Sequence, residues 1–462
     1  MKQLQIFHKY FIAIKYNKPH EENSWGFILT GRSLCYMRRL FLFLSILIIT
    51  LSANYLYAQD LEGLSLEECL TLALNNHPSL KRSQSSTRDI AAQLEAIRAA
   101  NRATLSLTGS ARYNGDFDYW EDRYNNETAS LTLSKTLYDT GRNRLQQEIR
   151  KESLKGAQET ERNTQVTVAA NAKRAYYDLV LKYLNLNVER EKLNNLEEHL
   201  KTAQGFYDVG NSPFIEVTKA QADVATAKVS MLKAENDILV SQEALRVAMG
   251  ADTEGNITVS GQLALPEADN DINALIVTAL QDRPDYRKLL HDVRGSEISI
   301  TNTARAKSPT ITGSAGSSIN KREHTSATNE YNVGININVP IIDGGAMEAS
   351  LESARAQLEQ VNADLESLRQ QMTYSVRSAA LSLMNAIDRV RSSEASVKYA
   401  EENLELARGR YEVGVGDPLE LSDAVSTLAT SRYTYYQALY DSLTARTNLD
   451  EALGHLPEEV SE

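Results

Sequence analysis

The chain has 462 residues and a net charge of −12, and 42% of its residues are apolar. The negative charge opposes binding to DNA, RNA or anionic lipid headgroups, so we expect no nucleic-acid partner. A polytopic helical membrane protein would need several runs of about 20 apolar residues, which this composition does not supply. With nine prolines and 22 glycines, the chain has few breaks, and this indicates long secondary-structure elements.

The N-terminal region carries the pattern of an export signal. An apolar run over 40–51 follows two arginines and is followed by Ala58, a small residue that suits a cleavage site. Because this run is too short to cross a bilayer, we interpret 37–58 as a signal peptide. Met37 stands directly before the arginines, so residues 1–36 are interpreted as an upstream extension, with a genuine N-terminal domain as the alternative.

The remainder of the chain contains an internal repeat. Residues 206–216 align with 410–420 at a separation of 204 residues, and each segment contains a Tyr-x-Val-Gly motif. The same separation relates Asp139 to Asp343, each two residues before a glycine. We therefore predict a two-fold sequence duplication. The predicted parts are a first half (61–250), a connector (251–270), a second half (271–454) and a C-terminal tail (455–462).

Each half contains two segments in which apolar and polar residues alternate with a period of two. They cover 104–113, 129–137, 311–319 and 332–339. This alternation puts the apolar side chains on one face of a strand, and each segment is about as long as a tilted strand that crosses a bilayer. Four strands cannot close a membrane barrel, since the smallest have about eight, so several copies of the chain must share one.

The rest of each half is predicted to be helical. Residues 142–205 have no proline and one internal glycine, and as a helix they would reach roughly 95 Å. The segments after the two Tyr-x-Val-Gly motifs repeat apolar or small residues in alternating steps of three and four, as in a coiled coil. These residues are Val217, Ala220, Val224, Ala227, Met231, Ala234, Ile238, Ser241, Leu245 and Ala248, and Leu421, Ala424, Leu428, Ser431, Tyr435, Ala438, Ser442, Ala445, Leu449 and Ala452. An elongated coiled-coil protein would explain this repeat but not the four strands.

The most specific motif is 411–424, which reads Tyr-Glu-Val-Gly-Val-Gly-Asp-Pro-Leu-Glu-Leu-Ser-Asp-Ala between two predicted long helices. With the signal peptide, the two halves and their order of elements, it resembles the TolC-like outer-membrane efflux family over 61–454. The resemblance implies an α+β fold in which a homotrimer shares a membrane β-barrel, with four strands per chain. The barrel would continue into a long coiled-coil tunnel of α-helices. The barrel would contact outer-membrane lipid, and the helices would extend into the periplasm.

The resemblance also implies a function. The chain would be the outer-membrane exit duct of a tripartite efflux system, passively exporting small molecules when docked to a periplasmic adaptor and an inner-membrane pump. One alternative is an exit duct for type I protein secretion. Another is a periplasmic coiled-coil adaptor or spacer, which would have helical hairpins but no lipid-facing strands.

The turns between the long helices supply the candidate site residues. Gly210 and Gly414 suit positive φ where a helix ends, and Pro213 and Pro418 suit the first turn of the next helix.

Glu420 and Asp423 are three residues apart on one helix face, so threefold symmetry would bring six carboxylates towards the axis. The resemblance makes them a pore constriction together with Tyr411, which matches a gate-restraining tyrosine of the family. A solvated helix face is the alternative for the two carboxylates.

The resemblance places the adaptor contact at the helix tips, and the contact residues would be Val209, Gly210, Val413 and Gly414. The sequence departs from the family pattern in two ways. Gly416 stands where some members have a basic gate residue, and Asn211 and Val415 stand where leucine is common.

No catalytic pattern is present. The histidines lack metal-ligand spacing and no phosphate-binding glycine loop occurs, so we expect no enzyme, no cofactor and no metal site.

Overall fold

The computed structural model describes residues 63–115, 124–251, 255–267, 271–323 and 325–456. The chain divides into two units, Met1–Gln59 and Asp60–Glu462, and the described residues all belong to the second. The predicted extension and signal peptide lie outside the described residues, as do parts of the connector and of the C-terminal tail.

Helices and strands follow in the same order in both halves of the described chain. The first half contains α1 (Leu66–Asn76), α2 (Pro78–Ala100), β1 (Thr104–Asn114), β2 (Tyr124–Tyr138), α3 (Arg142–Asp208) and α4 (Phe214–Met249). The second half contains α5 (Ile272–Asp282), α6 (Pro284–Ala304), a 3₁₀ turn (Arg305–Lys307), β3 (Thr310–Arg322), β4 (Thr328–Asn338), α7 (Ala346–Glu412) and α8 (Pro418–Leu453).

The predicted long helices are present. Helices α3 and α7 each have 67 residues, and α4 and α8 each have 36. A helix of the α3 and α7 length reaches about 100 Å. Helix α3 ends three residues later than predicted, at Asp208. All four helices begin and end at positions that are 204 residues apart between the halves, which is the separation found in the sequence.

Each long helix begins with the same turn after a strand. The Asp139 carboxylate accepts hydrogen bonds from the backbone N–H groups of Gly141 and Asn143, at 2.9 and 2.7 Å. Asp343 accepts from Gly345 and Met347 at 3.2 and 3.1 Å. These carboxylates satisfy backbone donors that the first helical turn leaves without partners. The repeated Asp-x-Gly motif is therefore a helix-start motif.

The four predicted strands form one antiparallel sheet in the order β1-β2-β3-β4. They have 11, 15, 13 and 11 residues, so β2 and β3 are clearly longer than predicted. Most of the added residues lie at the end of the sheet away from the long helices, where Asn114 pairs with Tyr124 and Glu127 pairs with Lys321. Backbone pairing extends these strands beyond the residues in which apolar and polar side chains alternate.

The two faces of this sheet differ in polarity. Register pairs Leu105 with Leu133 and Leu107 with Leu131 on one face. Serine, threonine and asparagine side chains fill the other face, where the hydroxyls of Thr104 and Ser134 lie 2.9 Å apart. Along β2 the apolar side chains are the more exposed set, and the polar ones are partly covered. This arrangement is the reverse of that in a water-soluble sheet, whose apolar face packs on a core.

The long helices pack through the predicted repeat. In α4 and α8 the predicted residues are buried, except for Met231, Ala248 and Tyr435, which are half-buried. Four helices share a cluster near the turns, which we call the lower core. It contains Leu193, Leu196, Val224, Ala227, Ala400, Leu404, Ala407, Tyr411, Leu421, Ala424, Val425 and Leu428.

Neighbouring helices follow one another in a row. Nearer the sheet, α3 packs on α2 and α6, and α6 packs on α7; nearer the turns, α3 packs on α4 and α8, and α8 packs on α7. At both levels α7 is the last helix on one side, and α2 or α4 is the last on the other. A short parallel bridge between Leu64 and Val259 lies beside the helices.

Corresponding close contacts occur where each half returns to its own beginning. A Cβ on Gly250 would lie 2.7 Å from the Cα of His77, and a Cβ on Gly454 would lie 2.8 Å from the Cα of Arg283. Both glycines have positive φ, 61° and 76°. Only glycine fits such a position, which explains why the sequence repeats it.

None of the helices in the described part of the chain is both long enough and apolar enough to cross a membrane.

Candidate functional site

The candidate site is built from two helix turns, the first tip (206–216) and the second tip (410–420). Gly210 and Gly414 end α3 and α7 with φ of 79° and 75°. The Asn211 N–H donates to the Phe206 carbonyl at 2.8 Å, and the Val415 N–H donates to the Arg410 carbonyl at 3.0 Å. These bonds satisfy carbonyls that the helix ends leave free, so both turns are defined helix ends.

The prolines after the turns occupy different positions. Pro418 is the first residue of α8, as predicted, whereas Pro213 precedes α4 as its cap residue and is not in the first turn. The prediction for Pro213 is therefore wrong by one residue. In the second tip Asp417 takes the cap position, and its carboxylate accepts from the Leu419 N–H at 2.8 Å.

Gly416 has no room for a side chain. A Cβ there would lie 2.7 Å from the backbone nitrogen of Tyr411 and 2.9 Å from the carbonyl carbon of Arg410. The turn thus folds its own backbone against the end of α7. The departure from the family pattern at this position has a steric reason, because a basic residue does not fit this turn.

Arg410 supplies a basic group close to the position that Gly416 leaves empty. Its Nη1 donates to Glu420 Oε1 at 3.1 Å, and this bond joins the end of α7 to the start of α8. Asp423 lies one turn further along α8, is exposed, and forms no ion pair with another described residue. Glu420 and Asp423 share a helix face as predicted. The two carboxylates differ, however, because only Glu420 is paired with Arg410.

Tyr411 is buried within the chain. It is 4% exposed, and its ring packs edge-on against His199 at 5.0 Å and against Phe206 at 5.6 Å between centroids. Burial, with a smaller contribution from Glu216, raises the pKa of Tyr411. This tyrosine therefore fixes the end of α7 to the end of α3 and does not point into open solvent.

The first tip holds its own carboxylate differently. Glu216 occupies the position 204 residues before Glu420, and it accepts a hydrogen bond from the Ser212 hydroxyl. Phe206 stands where the second tip has Arg410. The two tips therefore share a backbone turn, while only the second has a salt bridge across it.

The predicted adaptor-contact residues lie on the outside of both turns. Val209 is 69% exposed and Val413 is 72% exposed, and a Cβ on Gly210 or Gly414 would meet no atom within 4 Å. Further exposed apolar side chains lie beside them, namely Phe214, Ile215, Val415 and Leu419. Each tip thus presents an apolar surface.

Sequence reasoning missed three residues at this site. Arg410, Phe206 and His199 carry no motif of their own. Comparison of the two halves gives a signal for the first two, because Phe206 and Arg410 occupy corresponding positions with unlike side chains. No feature of the sequence identifies His199. Within the described residues, no three His, Cys, Asp or Glu side chains gather as a metal site.

Known proteins share this architecture. The chain is 24% identical over 405 residues to the outer membrane protein TolC of Vibrio cholerae, which covers 86% of this chain and 92% of that protein. It is 23% identical over 400 residues to the toluene efflux pump outer membrane protein TtgC of Pseudomonas putida, covering 84% of this chain and 83% of the relative. A crystal structure of CusC superposes with a TM-score of 0.73 at 20% identity, over 85% of this chain and 92% of that one.

The family comparison covers most of both halves. The model for the outer membrane efflux protein family matches residues 69–251 and 275–455. These two segments contain the four long helices, the four strands and both tips. The resemblance seen in the sequence is thereby confirmed, and so is the location in the outer membrane with helices extending into the periplasm. The chain belongs to the outer membrane efflux protein family.

Proposed function

We propose that the chain is the exit duct of a tripartite efflux system, through which small molecules pass passively when a periplasmic adaptor and an inner-membrane pump are docked. The observation that carries this proposal is the exposed apolar face of a sheet whose outer strands, β1 and β4, each pair on one side only within the described part of the chain. Leu107 is 75% exposed and Val333 is 83% exposed on that face. Lipid would cover these side chains, and further strands would pair with the free edges.

The free sides of the chain favour assembly of copies in a ring. One edge of the chain is formed by strand β1 with helices α2 and α4. The opposite edge is formed by strand β4 with helix α7. If β4 of one copy pairs with β1 of the next, α7 is brought beside the neighbour's α2 and α4. A head-to-tail contact of this kind closes into a ring when the rotation between successive copies completes a full turn. Three copies would give twelve strands, which exceeds the smallest membrane barrels of about eight.

Exposed apolar stripes on α4 and α7 support this neighbour contact. Helix α4 exposes Val229, Leu232, Val240 and Val247, and α7 exposes Tyr374, Leu381, Met384, Tyr399 and Leu406. Counted along each helix from its tip, Val240 and Met384 both lie about 40 Å up the bundle. The two stripes therefore reach matching heights in adjacent copies.

A cysteine pair tests this assembly. With Val240→Cys and Met384→Cys in the same chain, we expect oxidation to produce covalent dimers and trimers in outer-membrane fractions. Cys69 is buried and its pKa is raised to about 12, so it does not compete. Each single variant is the matched control and should give neither covalent dimers nor covalent trimers. A lone, detergent-independent monomer that forms no cross-link would contradict the proposal.

For the pore we propose a constriction formed by Glu420 and Asp423, with Tyr411 as a restraint acting through packing. Symmetry-related copies would gather these carboxylates into a negative ring. Such a ring attracts cations and resists closure when it is not neutralised. The Arg410 guanidinium, 3.1 Å from Glu420, would neutralise part of this charge within each chain.

Planar-bilayer recordings test the constriction. We expect Glu420→Ala with Asp423→Ala to raise or destabilise the single-channel conductance and to weaken block by multivalent cations. Glu216→Ala, at the corresponding position of the first tip, is the control and should leave the block unchanged. If the double variant behaves like the unmodified chain, these carboxylates do not form the constriction.

We propose that the adaptor docks on the exposed tips at Val209, Gly210, Val413 and Gly414. The support is the apolar surface that these residues form with Phe214 and Leu419. Val413→Asp would place a charge there and should weaken adaptor pull-down. Asn187→Asp adds the same charge to an exposed part of α3 away from the tips and serves as control. Equal adaptor recovery with both variants would contradict this docking site.

Small molecules are the proposed cargo. The name of the Pseudomonas putida relative refers to toluene efflux. Export of a small solute from cells, lost when the chain is deleted and restored by its expression, tests the substrate class. Loss of protein secretion without any change in solute export would favour the type I alternative.

A further inference from the structure

A histidine is buried where the ends of α3 and α7 meet. The ring of His199 is 6% exposed and packs on Tyr411, with 66° between the ring planes. Phe206 packs on Tyr411 as well, so three aromatic rings join the two helix ends. This cluster lies directly above the second tip, where α7 turns into α8.

Two polar atoms of this contact have no hydrogen-bond partner among the described residues. The Nδ1 atom of His199 and the hydroxyl of Tyr411 are both buried without a hydrogen bond. Both residues border a cavity of about 420 Å³ whose wall includes Asn195, Thr202, Arg408, Leu421 and Val425. The contact is therefore held by ring packing and not by hydrogen bonds between side chains.

Charged groups surround the His199 ring without pairing with it. Helix α4 presents Asp223, Glu216 and Lys219. Helices α3 and α7 present Glu198, Lys201, Arg408 and Glu412 along the cavity, while α8 contributes the apolar Leu421 and Val425. Arg408 is held by Asn195 at 2.6 Å and lies 3.8 Å from Glu198. Asp223 accepts from the Ser422 hydroxyl at 2.9 Å. No carboxylate in the described residues is hydrogen-bonded to the ring.

Burial decides how this histidine titrates. Removal from water lowers the pKa of His199, and this effect outweighs the opposite influence of Asp223 and Glu216. The packed state thus favours neutral imidazole, while a histidine exposed to water binds a proton below about pH 6.5. Proton binding therefore favours the unpacked state as the pH falls. The packed contact loses stability as the pH drops from the ordinary histidine pKa towards the lowered pKa of packed His199.

We propose that His199 is an acid-sensitive latch, which holds the ends of α3 and α7 together when neutral and releases Tyr411 when it is protonated. The release itself depends only on contacts within the chain. Its consequence for transport rests on the proposed function, because Tyr411 would then restrain the second tip less. The expected consequence is a duct that opens more readily when the periplasm is acidic.

Hydrogen exchange of backbone amides in the full-length protein, purified in detergent, tests the latch without requiring channel activity. Exchange is compared at about pH 7.5 and about pH 5.5, after correction for the intrinsic effect of pH on exchange. We expect peptides covering 195–208 and 404–416 to lose up to about tenfold protection at the lower pH, because proton binding by a histidine of ordinary pKa stabilises the unpacked state by about that factor over this interval. Peptides covering 160–180 should change little.

Two substitutions identify the titrating group. His199→Gln and His199→Phe cannot gain a proton, so each should abolish the pH response at the two tip peptides. His291→Gln removes a half-buried histidine of α6 that is bonded to Glu152, and it should leave the tip response unchanged. An unmodified chain without a pH response at the tips overturns the latch, and so does a response that persists in either His199 variant. Pore measurements can fail independently and would count against the duct alone.

Discussion

The hairpin of α3 and α4 and the hairpin of α7 and α8 have equal helix lengths, yet their tips use different side-chain contacts. Tyr411 of the second hairpin is buried, whereas Tyr207, its counterpart in the first, is 41% exposed and packs at a tilt against Phe214. A salt bridge crosses the second tip, whereas in the first tip the Ser212 hydroxyl donates a hydrogen bond to Glu216. The shared glycine turn therefore sets the backbone of both tips and leaves their chemistry free to differ.

The largest expected effect separates the two tyrosines. Tyr411→Ala removes a buried ring from the lower core and should destabilise the tip region by about 3–5 kcal/mol, as other large-to-small core substitutions do. Tyr207→Ala removes a partly exposed ring and should cost less than about 1 kcal/mol. Hydrogen exchange of peptides covering 195–208 and 404–416 measures both. Equal costs would show that the two hairpins are interchangeable at this position.

The next effect concerns the turn itself. Gly416→Ala puts a methyl group 2.7 Å from the backbone nitrogen of Tyr411, so the turn must shift. Overpacking of this kind costs about 1–3 kcal/mol. Ser212 already has a side chain at the corresponding position, and Ser212→Gly should change stability by about 1 kcal/mol at most. If Gly416→Ala is as mild as Ser212→Gly, the two turns differ less than their contacts indicate.

Much of the fold could be predicted from the sequence, because it depends on periodicity. The period-two segments gave the four strands, and the three-and-four repeat gave the buried side of α4 and α8. The ends of β2 and β3 were underestimated, since backbone pairing at Tyr124 or Lys321 leaves no trace in side-chain alternation. The strand order could not be predicted from the sequence either, because β2 and β3 pair although long helices separate them in the chain.

The candidate site could be predicted only in part. Each turn needs a positive φ at Gly210 or Gly414, which glycine adopts without steric cost, and this requirement is visible in the sequence as a repeated Val-Gly. The burial of Tyr411 is not visible, because it depends on His199 and Phe206, which are distant in sequence and reach it only when α3 packs against α7. Contacts between distant helices therefore decide which tip residues are available to the pore.

A smaller effect is expected at the other ends of the long helices. Thr140 has a φ of 57°, the one positive value at a residue other than glycine in the described chain, where the second half has Gly344. Thr140→Gly should raise stability by up to about 1 kcal/mol, because a left-handed conformation is costly for a residue with a Cβ. A thermal unfolding midpoint measures it. A lower midpoint would show that the hydrogen bond from the Thr140 hydroxyl to the Pro309 carbonyl outweighs the backbone strain.

The smallest stability effect distinguishes the tips by charge. Arg410 and Glu420 have 58% and 41% exposed side chains, so Arg410→Gln should cost about 0.2–1 kcal/mol at low salt and less at high salt. A double-mutant cycle with Glu420→Gln isolates the pair. A coupling energy that does not fall with salt would contradict a solvent-exposed ion pair.

The same substitution has a larger electrical consequence. Without the guanidinium, each Glu420 keeps its full charge, so copies gathered around an axis repel one another more strongly and attract multivalent cations more strongly. Arg410→Gln should therefore strengthen cation block in planar bilayers, whereas Glu420→Ala with Asp423→Ala weakens it. Arg389→Gln removes the same charge from an ion pair with Asp441, further along α7 and away from the tip, and should leave the block unaltered. If Arg410→Gln also weakened the block, the guanidinium would have a role other than neutralising Glu420.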